Sequence, residues 1–150
     1  MSATLAPVSW QRMAKGIDDV RQRLERAAGA LARHSVDYAV VGGNAAAMDV
    51  FLDGPDAKSR DAVHILWAGE KAAPDAIDFT PELRETENSG NFHLVPLEDL
   101  VRMKLVSFRD KDRMHLRDLI AVRLVDASWP SRFSQVLARR LQTILDDPEG

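Results

Sequence analysis

The sequence contains no cysteine among its 150 residues. It therefore cannot hold a disulfide, a thiolate metal ligand or a thiol nucleophile, and a reducing compartment, the cytoplasm, is its expected home. It has no apolar run long enough to cross a bilayer. Its opening residues, Met1 to Pro7, lack a basic start followed by an apolar stretch, so neither a secretory signal nor a membrane partner is expected. Positive charge is not in excess: the net charge of −3 offers no electrostatic basis for coating nucleic acid, which is not an expected partner. A Gly-x-Ser-x-Gly nucleophile elbow and a Walker loop are both missing, as are internal repeats and low-complexity segments.

What is there is ordinary globular material, 45% hydrophobic and 29% charged, long enough to bury a core without staples. Residues 1–16, with a proline, a glycine and Trp10, read as an arm. From Ile17 the apolar residues Val20, Leu24, Ala27, Ala28 and Leu31 recur at helical spacing and predict a helix ending near His34. Tyr38 to Val41 is a short apolar run that reads as a buried strand, ended by Gly42-Gly43, with Asn44 placed to cap a helix through Ala45–Ala47. Met48 to Leu52 is compatible with either helix or strand, turning at Asp53-Gly54-Pro55. Residues 62–67 and 91–95 read as strands, and 68–90 as a loop. After Pro96 come three helices: one carrying Leu97, Leu100, Val101, Leu105 and Phe108; one after the charged junction Arg109–Arg113, carrying Leu116, Leu119, Ile120 and Leu124; and one over 131–145. The expected class is α+β, a small mixed sheet with an N-terminal helix and a helical C-terminal third, as a single domain over 17–150 (helix and sheet 17–95, helices 97–147).

The pattern strand, Gly-Gly, helix start carries chemistry. Glycines let the backbone approach a ligand, and free N–H groups at a helix start favour phosphate, although a strand-to-helix turn needs glycine for geometry alone. The stretch Ser35-Val36-Asp37-Tyr38-Ala39-Val40-Val41-Gly42-Gly43-Asn44-Ala45 resembles the opening of bacterial nucleotidyltransferase-fold proteins, the branch with toxin-like and antibiotic-modifying relatives. Pro96 to Leu105, followed by Arg109-Asp110-Lys111-Asp112 and His115-Leu116-Arg117-Asp118-Leu119, resembles the helical pair closing that domain. The resemblance implies nucleotidyl transfer from a nucleoside triphosphate, with the backbone of Gly42 and Gly43, the side chain of Asn44, and Lys104 as nucleotide-binding groups. It also implies Mg²⁺ held by an Asp-x-Asp pair on a strand after the Gly-Gly helix.

That pair is not found between Asn44 and Ala62, where Asp49, Asp53, Asp56 and Asp61 have other spacings. The only Asp-x-Asp, Asp110 with Asp112, lies at a helix junction, where capping and solvated charge explain it. No metal ligands or catalytic residues are assigned, and Mg²⁺ is expected only if activity remains. Met48 to Gly54 resembles a later hairpin strand of that family joined directly to the Gly-Gly helix, which predicts antiparallel pairing of 48–52 with 62–67. The expected function is thus a nucleotide-binding but catalytically impaired nucleotidyltransferase-like protein. The alternative is a non-enzymatic interaction module, homodimeric or bound to a partner protein, in which the Gly-Gly turn is structural. Of the remaining candidates, Lys104 fits a phosphate ligand or a snorkelling surface residue equally well. His115 with Asp118 reads as a polar surface pair; His64 and His93 read as hydrogen-bonded or exposed strand histidines. Arg132, Arg139 and Arg140 read as a solvated basic edge, and Trp10, Trp67 and Trp129 as core or interface anchors.

Overall fold

The computed structural model describes residues 10–41, 49–51, 54–56, 62–83, 86–89 and 92–148. The chain is α+β and packs as two compact units, Met1–Tyr38 with Val50–Val63 and Ala39–Asp49 with His64–Gly150. The division falls inside the stretch expected to form one domain.

The first unit holds helix α1, Trp10–Arg33. It starts within the segment read as an arm, because Trp10 and Met13 extend the three-and-four spacing of Ile17, Val20 and Leu24 one turn further back. Among its described side chains, Ala27 and Ala28 are buried. The helix ends in a Schellman motif. Ser35 adopts a left-handed conformation (φ 55°), its N–H bonds to Ala32 O at 3.1 Å, and the N–H of Val36 bonds to Leu31 O at 3.0 Å. These two bonds satisfy carbonyls that the helix end would otherwise leave open.

Strands β1 (Asp49–Phe51) and β2 (Val63–Ile65) form a two-stranded sheet. Of the ambiguous stretch Met48 to Leu52, the described residues Asp49–Phe51 are strand. In the second unit, β3 (Glu87–Ser89) and β4 (Phe92–Leu94) pair antiparallel, with Asn88 opposite His93. β3 lies in the segment read as loop; its Glu-Asn-Ser sequence has no apolar alternation, and only the ladder with β4 makes it a strand. The expected strand at Tyr38–Val41 contributes a single parallel bridge, Val40 to Leu94, with Val40 N–H donating to His93 O at 2.7 Å. Among the described residues the expected single mixed sheet is thus two separate pairs of three-residue strands. The Gly42-Gly43 turn and the capping role of Asn44 lie outside the described residues.

Three helices follow: α2 (Leu97–Ser107), α3 (Asp110–Ala121) and α4 (Gln135–Asp146), the last preceded by a 3₁₀ turn at Trp129–Arg132. The third predicted helix, over 131–145, is therefore broken at Phe133-Ser134, where the backbone becomes extended. Val101 and Leu105 from α2, Leu116 from α3, and Leu137, Leu141 and Ile144 from α4 close one core with Val125 and Trp129. Burying each such leucine stabilises the fold by about 1.5–3 kcal/mol. Leu124 is exposed and its neighbour Val125 is buried. The helix stops at Ala121 and Arg123 turns left-handed (φ 61°), so the helical spacing that predicted Leu124 as core no longer applies. No helix is long and apolar enough to cross a membrane among the described residues.

Candidate functional site

The α2–α3 corner is built without glycine. Helix α2 ends at Ser107, and Phe108 caps it in the left-handed region (φ 49°), donating its N–H to Lys104 O at 2.8 Å. A bulky residue there costs roughly 1–2 kcal/mol. The Phe108 ring offsets this by packing against the helical core and meeting two guanidinium groups, Arg140 at 4.9 Å and Arg113 at 5.7 Å from its centroid. Arg140 also donates through one Nη to Leu105 O at 2.6 Å and Val106 O at 2.9 Å, carbonyls near the open end of α2. It is half-buried, which corrects the expectation of a solvated edge for this residue. Arg139 is exposed, and the exposed Arg132 stacks over Trp129 and reaches Glu98 at 3.3 Å.

The tight corner brings two buried charges together. Lys104 is 6% exposed and Asp112 is 4% exposed. Lys104 Nζ lies 3.6 Å from Asp112 Oδ1 and 2.9 Å from His115 Nδ1. With the lysine as ammonium, Nζ donates and Nδ1 accepts, which places the ring proton on Nε2. Asp112 Oδ2 accepts from Ser107 Oγ at 2.7 Å, from Arg109 Nε at 2.8 Å and from the Arg109 N–H at 3.3 Å. The last contact is half of a capping box: Asp112 stands three residues into the helix and reaches back to the residue before it. A continuous polar chain therefore runs Ser107, Asp112, Lys104, His115.

Burial pulls the Lys104 ammonium below the usual lysine range, and Asp112 restores only part of it. Burial pushes the Asp112 carboxyl up, but the hydrogen bonds from Arg109 and Ser107, helped by the arginine charge, outweigh it and hold the group below its ordinary value of 3.8. The Ser107 hydroxyl is one of the donors that stabilise this carboxylate.

The cluster forms one wall of a cleft of about 320 Å³ within the second unit. Lys104, Ser107, Arg109, Asp112 and Arg140 line it from the helices, and residues 72–80 line it from the long loop after β2. That loop is tied at its ends by Thr80, whose Oγ1 lies 2.5 Å from Trp67 O and 2.9 Å from Glu70 O, and by Gly69, whose φ of +71° suits glycine. It is joined to α2 by the Asp78–Arg102 ion pair at 3.1 Å. Val41, the residue directly before Gly42, also lines the cleft.

Of the sequence candidates, Lys104 is at the centre of the cluster, which corrects the alternative of a snorkelling surface lysine. Gly42, Gly43 and Asn44 lie outside the described residues. His115 turns inward to Lys104 while Asp118 is exposed, so they do not form the expected surface pair. His64 is half-buried, with its Nδ1 buried and lacking a hydrogen-bond partner among the described residues, and His93 is exposed. Trp129 is core, Trp67 is 51% exposed, and the Trp10 side chain lies outside the description. Asp110 and Asp112 diverge: Asp110 is exposed and paired with Arg113, as solvated charge predicts, whereas Asp112 is buried. The pair does not fit a magnesium site, because both Asp112 oxygens face cationic or hydroxyl donors and Asp110 points to solvent. Among the described residues no group of three or more histidines and acids gathers to hold a metal. The capping explanation given to Asp112 holds, since it accepts from the Arg109 N–H at 3.3 Å, but its burial was not foreseen; Arg140 was expected at a solvated edge, and Ser107 and Arg109 were given no role in a site. The signals available for three of them were the capping-box spacing from Arg109 to Asp112 and the three-residue spacing from Lys104 to Ser107.

Comparison of the chain with family models, with curated proteins and with solved structures finds no match.

Proposed function

We propose that this chain is a nucleotide-binding protein of nucleotidyltransferase-like build that lacks the transfer chemistry, with its ligand in the cleft beside Lys104. The observation that carries the reading is that two segments far apart in sequence, Val41 before the Gly-Gly turn and Lys104 on α2, line one cleft. Both segments belong to the stretches that resemble nucleotidyltransferase-fold proteins. The charge pattern supports binding rather than catalysis: three cations and three carboxylates share the cleft lining, and the one Asp-x-Asp is divided between a buried ion pair and solvent. The resemblance names a nucleoside triphosphate as the ligand class to try first. Calorimetric titration of the full chain with nucleoside mono-, di- and triphosphates, with and without Mg²⁺, tests the reading. Saturable binding that is lost in Lys104→Met, with no nucleotidyl transfer from a labelled triphosphate, is the expected result. Absence of binding by every nucleotide at millimolar concentration overturns it.

A second reading, a non-enzymatic interaction module, is supported by Trp67, Ile77, Phe79 and Leu83, which are 42–53% exposed within one short segment. Sedimentation equilibrium over a hundredfold concentration range distinguishes it: self-association that is weakened in Trp67→Ser favours the module.

A further inference from the structure

We infer that the cleft takes a nucleoside monophosphate in preference to a triphosphate, with Arg109 gripping the single phosphate and Phe79 and Ile77 covering the base. The inference rests on the nucleotide reading above and goes beyond it by naming the ligand.

It follows from counting which donors remain uncommitted. Three cations and three carboxylates line the cleft, Lys104, Arg109 and Arg140 against Asp75, Asp78 and Asp112, so the lining is formally neutral. Arg102, paired with Asp78, adds one positive charge beside it. Lys104 is held by Asp112 and His115. Arg140 is held by two backbone carbonyls and the Phe108 ring. Arg102 is held by Asp78 through Nε and one Nη. Arg109 uses only Nε, on Asp112, and its Nη groups make no hydrogen bond among the described residues. Its side chain is 40% exposed, and it lines the cleft. One free arginine fork matches one phosphate group in bidentate geometry. A terminal phosphate monoester brings about 1.5–2 negative charges, close to what a neutral lining with one neighbouring cation can accept. A triphosphate brings more charge and two more phosphate groups, and among the described residues the lining holds no further uncommitted cation to meet them; Lys71, with Nζ 5.9 Å from the Phe79 ring, stands at the base end of the cleft.

Apart from Thr80 and Ser107, the rest of the cleft lining is apolar. Ile77 and Phe79, each about half exposed, stand on the loop wall, and Leu100 and Met103 line the cleft from α2. Flat apolar surfaces of this kind stack a base without reading its edge. A volume of about 320 Å³ is at the small end for ligand pockets, which suits one base, one sugar and one phosphate.

The experiment is a titration of the full chain with adenosine, adenosine monophosphate, adenosine triphosphate (with and without Mg²⁺) and inorganic phosphate. The monophosphate is expected to bind at least about tenfold more tightly than the triphosphate in either condition, a difference of about 1.4 kcal/mol. R109Q is expected to weaken the monophosphate about tenfold while leaving adenosine unchanged. F79S, at an exposed ring, is expected to weaken adenosine and the monophosphate alike and to leave inorganic phosphate unchanged. Because Arg109 also bonds to Asp112, the F79S result keeps the inference testable if R109Q fails to fold. Triphosphate binding equal to or tighter than monophosphate overturns the inference and leaves the nucleotide reading standing. Failure of every nucleotide to bind overturns both.

Discussion

Helix α1 and the α2–α3 corner are both dense in alternating charge, and the two regions put that charge to opposite use. On α1, Arg21 and Glu25 form an (i, i+4) pair at 3.2 Å with side chains 67% and 37% exposed. Water screens such a pair, and its contribution is small. At the corner, Lys104 and Asp112 have side chains 7% and 5% exposed. There, each charge is tolerated only because the other is present, and Ser107, Arg109 and His115 satisfy the remaining donors and acceptors. Burial, and not the number of charges or their spacing, decides whether a charged pair matters. A buried ion pair of this kind contributes little net stability compared with apolar residues of similar volume, so its position beside a cleft invites a functional explanation.

The sharpest way to break the contrast is Asp112→Ala, which strands the Lys104 ammonium in the interior. We expect a loss of about 3–5 kcal/mol, read as a fall in the urea midpoint. Adding Lys104→Met to that variant removes the stranded charge and is expected to recover most of the loss. If Asp112→Ala costs no more than a surface substitution, the corner is solvated and the contrast with α1 disappears.

A purely apolar reference is Leu141→Ala in the core of the three C-terminal helices. It is expected to cost about 2–5 kcal/mol by cavity formation, without altering the dependence on pH. Comparing its denaturation curves at several pH values with those of the Asp112 variants separates packing from charge.

Acid titration gives the next effect. The Asp112 carboxyl is held below its ordinary value of 3.8, so its contribution is fully present above that pH. It is lost as pH falls from there through the lower folded value. Lys104 has the same sign at the alkaline end: its folded value lies below 10.5, so the cost of burying its charge is present at lower pH and stability is expected to rise with pH between the folded value and 10.5. Thermal melts should show Asp112→Asn with a shallower acid loss than the parent chain, and Lys104→Met without the alkaline rise.

The smallest effect is expected on α1. Arg21→Ala should change stability by no more than about 0.5 kcal/mol, and added salt should erase even that. A larger change would mean that Arg21 has a structural role beyond its surface pair.

Much of the helical part was legible because helix periodicity is local. Val101 and Leu105, Leu116, and Leu137 with Ile144 sit at spacings that place them on one face whatever they pack against, and Pro96 with Glu98 and Asp99 marks the start of α2. The strands were less legible. β3 is polar and exists through its partner, and among the described residues the Tyr38–Val41 run pairs only at Val40. The site was the least legible part. Lys104 stood out by its place in the chain, but nothing in the spacing of Asp110 and Asp112 says that one faces solvent and the other the interior.

The residues alone determined the α+β class, the three C-terminal helices and the exclusion of thiol chemistry, because side-chain type and short-range spacing act on the chain before it folds. The tertiary structure alone decided that Lys104, Asp112 and His115 meet, that Arg140 turns inward, and that Val41 shares a cleft with them. The reason is physical: a charge's environment depends on which distant surfaces exclude water from it, and that depends on how the helices close rather than on any local pattern.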